Sequence, residues 1–113
     1  MNVNVLNAAL LDAVIANHAA RVRTLLEQGA DPNFTEDPAG LTPLHFAAFY
    51  NSISVVSLLF VAGADPLRCD RELDTPLDLA RRFGHHDMVL LLTRLSSIPA
   101  LPAQVSGYAE DLA

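Results

Sequence analysis

The chain has 113 residues, 51% of them hydrophobic, and a formal net charge of −6. That length supports one domain, burying roughly two thirds of the surface its unfolded form exposes. The acidity argues against nucleic acid as a partner, because the seven basic residues are scattered rather than gathered in a stripe and phosphate backbones repel such a surface.

Mean hydropathy is high, at +0.29. Even so, no apolar run approaches the roughly 18–20 residues that a membrane helix needs. The most apolar stretch, Val55 to Ala64, contains Ser57 and runs into Gly63-Ala64-Asp65. A packed core is therefore the expected use of this hydrophobicity, with no membrane partner. The first residues carry no basic segment, and Asp12 interrupts the apolar stretch that follows, which argues against a secretory signal. A single cysteine, Cys69, excludes an intramolecular disulfide. Both features point to the cytoplasm.

In chain order, a first unit opens on Ala8-Ala9-Leu10-Leu11, breaks at Asn17, carries Val22, Leu25 and Leu26, and closes on Gly29-Ala30-Asp31-Pro32. A second opens on Thr42-Pro43-Leu44-His45 and Ala47-Ala48, breaks at Asn51, carries Val56, Leu59 and Phe60, and closes on Gly63-Ala64-Asp65-Pro66. A third opens on Thr75-Pro76-Leu77-Asp78 and Ala80, breaks at Gly84, and carries Val89 and Leu92. A period of 33 residues superimposes all three once one extra residue is allowed between Gly29 and Thr42, within Thr35 to Ala39. Self-similarity at such a period marks a stack of supersecondary units.

The punctuation predicts each unit's anatomy. Thr42 and Thr75 are suited to cap a helix through the hydroxyl. Pro43 and Pro76 then stand at the first helical position, where a missing N–H costs nothing. Asp78 falls in a first turn, where the helix dipole favours negative charge. Asn17, Asn51 and Gly84 occupy aligned positions and all tolerate a left-handed backbone, so a tight turn between two helices is expected. The i, i+3, i+4 spacing of Val22, Leu25 and Leu26 and of its counterparts makes an apolar stripe on the second helix, ended by Gly29 and Gly63.

These units resemble ankyrin repeats. The match is fullest in the second, through Asp37, Gly40, Thr42, Pro43, Leu44, His45, Ala47, Ala48, Val56, Leu58, Leu59, Gly63, Ala64 and Asp65. The first unit has Ala8, which has no side-chain oxygen to cap with. The third has Arg81 for the second alanine and Ser96-Ser97 for the final Gly-Ala. Leu73 stands where the pattern has glycine, and its side chain disfavours the left-handed backbone that turn ordinarily takes. Departures at the two ends suit terminal caps. The resemblance implies an all-α solenoid over residues 1–97, with repeats at about 6–33, 37–66 and 70–97 joined by β-hairpin-like loops. It also implies that His45 hydrogen-bonds within the Thr-Pro-Leu-His turn.

The tail, residues 98–113, has two prolines and no helical period. It is expected to be extended, or folded back through Ile98, Leu101 and Tyr108 onto the apolar helix that contains Met88, Val89, Leu90, Leu91, Leu92 and Leu95. A second copy of the chain could cover the same face, giving a homodimer through the C-terminal end, although a monomer is favoured.

Catalysis finds little support. His85 and His86 are adjacent, so their side chains diverge by about 100° on a helix, and no Cys-x-x-Cys pair accompanies them as zinc chemistry would want. Cys69, between Arg68 and Asp70, has no histidine placed beside it to serve as a base. No phosphate loop occurs, and pairs such as Glu36-Asp37 and Glu110-Asp111 suit solvated charge. The expectation is a non-enzyme with no metal and no cofactor.

The resemblance implies a protein partner, bound by hairpin tips and the exposed face of each first helix. By position these are Pro38, Ala39, Leu41, Phe49 and Tyr50 in the second repeat, Cys69, Arg71, Glu72, Asp74, Arg82 and Phe83 in the third, and Ile15 and Ala16 in the first. The expected partner-binding set is Leu41, Phe49, Tyr50, Arg71, Glu72, Asp74, Arg82 and Phe83, since aromatics and arginine dominate binding hot spots. Phe49-Tyr50 and Arg82-Phe83 are aligned and are expected to lie side by side. The implied role is a small adaptor or inhibitor. The stretch Arg21 to Asn33 is similar to small bacterial ankyrin proteins, which makes an immunity or effector role an alternative. A structural homo-oligomer is another.

Overall fold

A computed structural model describes residues 2–35 and 38–98. Among these residues six helices follow one another: α1 (Val3–Ile15), α2 (Ala19–Glu27), α3 (Pro43–Tyr50), α4 (Ile53–Val61), α5 (Pro76–Arg82) and α6 (His86–Ser96). Successive pairs form hairpins. The first helices pack on one another in the order α1, α3, α5, while α4 lies between α2 and α6 in a second layer. No strand occurs among the described residues. The architecture is the all-α solenoid that the repeat pattern implies.

Each hairpin turn is left-handed where the sequence places Asn17, Asn51 and Gly84, with φ of 56°, 58° and 71°. The second helices end as expected. Gly29 and Gly63 both have φ 110°, and the N–H groups of Ala30 and Ala64 reach back to the carbonyls of Leu25 and Leu59 at 3.0 and 2.9 Å. This 6→1 bond satisfies a carbonyl that the helix leaves unpaired. Asp31 and Asp65 then turn the chain, each accepting from the backbone N–H two residues on, at 2.9 Å.

The core runs unbroken along the stack: Leu10, Val14 and Val22 from the first unit, Leu44, Val55, Val56 and Leu59 from the second, and Met88 and Leu92 from the third are all fully buried. Burying one such side chain contributes about 1.5–3 kcal/mol. Ala47, Ala48 and Ala80 are also buried. Their small size lets the first helices approach closely.

The first unit solves its missing threonine differently. Helix α1 begins upstream of the Thr42 equivalent, and Asn2 caps it by accepting from the Val5 N–H at 3.0 Å. The same unit contributes Asn7, a buried side chain whose Oδ1 accepts from the Asp31 N–H at 2.8 Å. At the other end, α6 buries Met88 and Leu92 but leaves Leu90 64% exposed. Ile98 is also exposed. Leu101 and Tyr108, the other members of the expected fold-back, lie outside the described residues, as do Glu36 and Asp37.

Candidate partner-binding groove

The finger that joins the second and third units frames the site. The Asp70 N–H donates to the Asp74 carbonyl at 2.9 Å, closing the turn. The Asp70 carboxylate faces inward, its Oδ1 accepting from the N–H groups of Glu72 and Asp74, both at 2.9 Å. Leu73, inside this turn, has φ +67°, close to the +73° of its counterpart Gly40. The left-handed backbone is therefore kept despite the leucine. Together with the Leu73 N–H, which donates to the Asp70 carbonyl at 3.0 Å, these bonds hold a conformation that a side chain disfavours by about 1–2 kcal/mol. The Arg71 N–H donates to the Ala39 carbonyl at 2.8 Å, tying this finger to the one before it.

His45 anchors the finger to α3. Its ring is fully buried. Nδ1 accepts from the Thr42 N–H at 3.1 Å and lies 2.8 Å from the Thr42 hydroxyl, while the His45 N–H donates to that hydroxyl oxygen at 3.3 Å. Nε2 lies 2.8 Å from the Asp74 carbonyl. These partners assign the neutral tautomer with the proton on Nε2. Burial holds the imidazole below its ordinary pKa of 6.5, outweighing the Asp74 carbonyl and the nearby Asp70 and Asp74 carboxylates, which act the other way. The hydrogen bond expected within the Thr-Pro-Leu-His turn is present, together with a second bond across the repeat boundary.

Between this finger and the first helices lies an open groove of about 470 Å³. Leu41, Phe46 and Leu79 form its apolar floor, Phe49, Tyr50 and Phe83 one wall, and Arg71, Glu72 and Arg82 its charged rim. Phe49 is the centre of the wall. Its ring meets Tyr50 at 4.9 Å and Phe83 at 4.8 Å, both edge-to-face, the arrangement that the ring quadrupole favours. The three rings remain 44–49% exposed. His85 ties the third unit to the backbone beneath Phe49, with Nε2 3.1 Å from the Phe49 carbonyl.

Of the eight residues singled out from sequence, Leu41, Phe49, Tyr50, Arg71, Glu72, Arg82 and Phe83 line this groove, as does Ala39. Asp74 does not. Its carboxylate binds Arg82 at 3.0 Å and is 15% exposed, and this contact is what chiefly raises the Arg82 pKa. Phe49 and Phe83 are side by side through direct ring contact. Pro38 and Cys69 line a shallower, polar depression between the fingers, with Arg68 and Arg71. Ile15 and Ala16 are exposed at the end of α1, away from the groove lining.

Sequence reasoning missed the floor residues Phe46 and Leu79. A signal for them exists. They are 33 residues apart and stand three residues before Phe49 and Arg82, hence on the same helix face. It also missed the backbone ties that hold adjacent units in register. Asn17 Oδ1 accepts from the Ser54 N–H at 3.0 Å. Asn33 bridges to the Gly63 carbonyl and the Asp65 N–H at 2.9 and 2.8 Å. No group of three or more His, Cys, Asp or Glu that could hold a metal ion occurs among the described residues. No helix there is long and apolar enough to cross a membrane.

A stack of helix hairpins with a lateral aromatic groove defines a repeat-type recognition scaffold. The family model for ankyrin repeats matches residues 7–99, in three copies, and the chain belongs to the ankyrin-repeat family. Ankyrin repeats are non-catalytic modules that bind protein partners. The chain is similar to the 2-5A-dependent ribonuclease of Mus musculus, at 42% identity over 74 residues, covering 66% of this chain and 10% of that protein. It is also similar to the ARF GTPase-activating protein GIT2 of Mus musculus, at 45% identity over 64 residues (57% and 9%). The ARF GTPase-activating protein Git of Drosophila melanogaster is 43% identical over 61 residues (54% and 8%). The chain thus spans a tenth or less of the length of the relatives it matches.

Proposed function

We propose that this chain is a cytoplasmic, non-enzymatic adaptor or inhibitor that docks one protein partner in the groove between the third-unit finger and helices α3 and α5. The observation that carries the reading is the Phe49–Tyr50–Phe83 cluster. Phe49 holds Tyr50 and Phe83 against its two sides, and the three rings stay nearly half exposed, gathering exposed aromatic surface in one groove. Covering such a cluster is a usual source of binding energy at protein interfaces. The rim residues Arg71, Glu72 and Arg82 supply polar selectivity, and Asp74 orients Arg82. An immunity or effector protein would be one specialisation of this role.

The test is a pull-down from the native cell lysate with wild type and with Phe49→Ala/Tyr50→Ala/Phe83→Ala, after confirming that the variant melts cooperatively. A band captured by wild type and lost by the folded variant supports the reading, whereas equal capture by both removes the interface from this groove. Exposed Leu90 on α6 favours a second reading, self-association through the C-terminal end. Light scattering decides it: a dimer that Leu90→Glu converts to a monomer supports self-association, and a wild-type monomer rejects it.

A further inference from the structure

The charged groups at this end of the molecule are unequally committed. Three of the carboxylates are turned to internal use. Asp70 is buried and caps two backbone N–H groups of its own turn. Asp74 holds Arg82. Asp78 accepts from the N–H and hydroxyl of Thr75 at 2.9 and 3.1 Å. The guanidinium groups are less committed. Arg71 is exposed on the groove rim and makes no ion pair among the described residues. Arg82 spends one nitrogen on Asp74 and is 51% exposed. A guanidinium carries five N–H donors, so the rim holds an excess of charge-assisted donors over its one exposed carboxylate, Glu72. Both arginines line the same groove as the aromatic cluster.

We infer that the groove recognises a partner segment in which an aromatic or leucine-type side chain stands next to an aspartate or glutamate. The apolar side chain packs on the Phe49–Tyr50–Phe83 cluster and the floor of Leu41, Phe46 and Leu79. The neighbouring carboxylate receives the fork of Arg71, a planar, bidentate match that an ammonium would not give. Glu72 repels a second acidic residue on its own side, so one carboxylate is preferred to an acidic run. This inference rests on the groove being the docking surface.

The experiment pans a phage-displayed random peptide library on the full chain, on Arg71→Glu and on Phe49→Ala/Phe83→Ala, each checked for a cooperative melt. The expected result on wild type is enrichment of sequences pairing Asp or Glu with Phe, Tyr or Leu. Arg71→Glu shifts the charged position to Lys or Arg, and the double aromatic variant enriches neither. A synthetic enriched peptide loses about tenfold in affinity when its carboxylate is replaced by the amide. Apolar sequences without acidic bias, the same on wild type and Arg71→Glu, overturn the inference and leave the groove reading standing. Acidic–apolar sequences retained equally by the double aromatic variant remove the groove itself. Basic sequences on wild type overturn the inference in favour of a partner addressed to Glu72. No enrichment also overturns it, and light scattering of the same sample then shows whether a second copy of the chain occupies the groove.

Discussion

The second and third units begin with the same three residues, Thr-Pro-Leu, and differ at the fourth: His45 in one, Asp78 in the other. Both build a capping box. The threonine hydroxyl accepts from the N–H three residues on, and the fourth side chain accepts from the threonine N–H. Only His45 does more, because an imidazole has a second nitrogen on its far side, and here that nitrogen reaches the Asp74 carbonyl of the next unit. Asp78 is in the last repeat of the described chain and is bound locally. A carboxylate completes a helix start, whereas a histidine completes the helix start and joins it to its neighbour.

This difference predicts unequal costs. The largest loss is expected for His45→Ala, which empties a buried site, leaves the Thr42 N–H without its acceptor and cuts the Asp74 carbonyl back to the Asp70 N–H alone. About 2–4 kcal/mol of unfolding free energy should disappear, measured by urea denaturation. Asp78→Ala removes only a cap, for about 1 kcal/mol. Equal losses would mean that the bond across the repeat boundary adds nothing. His45→Asn sharpens the comparison: it keeps an acceptor for the Thr42 N–H yet is too short to reach Asp74, and it should fall between the two, with a loss of about 1–3 kcal/mol.

The two caps should also separate by pH. The folded state holds His45 below its ordinary 6.5, so the unfolded chain takes up a proton first as pH falls. Stability is full above about 6.5 and declines below it, by at most about 1.4 kcal/mol per pH unit for one proton. The folded state also holds Asp78 below its ordinary 3.8, chiefly through the Thr75 N–H. Its contribution is present above about 3.8 and is lost as pH falls further. Urea titrations between pH 3 and 8 should show the upper step vanish in His45→Asn and the lower one diminish in Asp78→Asn. An unchanged upper step in His45→Asn would assign it to another group.

The smallest effect concerns the finger. Leu73 is 78% exposed, so its side chain contributes little packing while its left-handed backbone carries strain. Leu73→Gly is expected to raise stability by about 0.5–1 kcal/mol, the relieved strain less the added entropy of glycine. A loss would show that the leucine makes contacts that offset its strain.

Much of this molecule was legible in the chain alone, for a definite reason. Helix starts, hairpin turns and helix ends depend on residues within a few positions of one another, and Thr42-Pro43, Asn51 and Gly63 carry that chemistry in their own covalent structure. Repetition at a fixed period then places Phe49 and Phe83 on adjacent units. Turn chemistry by itself misjudged Leu73, because the bonds that hold it come from Asp70 and Asp74 once the finger has closed.

Contacts between units were not legible. Asn33 bridging to Gly63 and Asp65, Asn17 to Ser54, and His85 to Phe49 all depend on how far one hairpin is translated and rotated against the next. The groove likewise exists only once three separate segments meet, and its floor of Phe46 and Leu79 is defined by what the finger stands over. The sequence by itself determined the repeats, their caps and the aromatic stripe, since these are local and periodic. The tertiary structure decided which carboxylates are spent internally and which arginine is left to face a partner, because that depends on how the closed finger sits against α5.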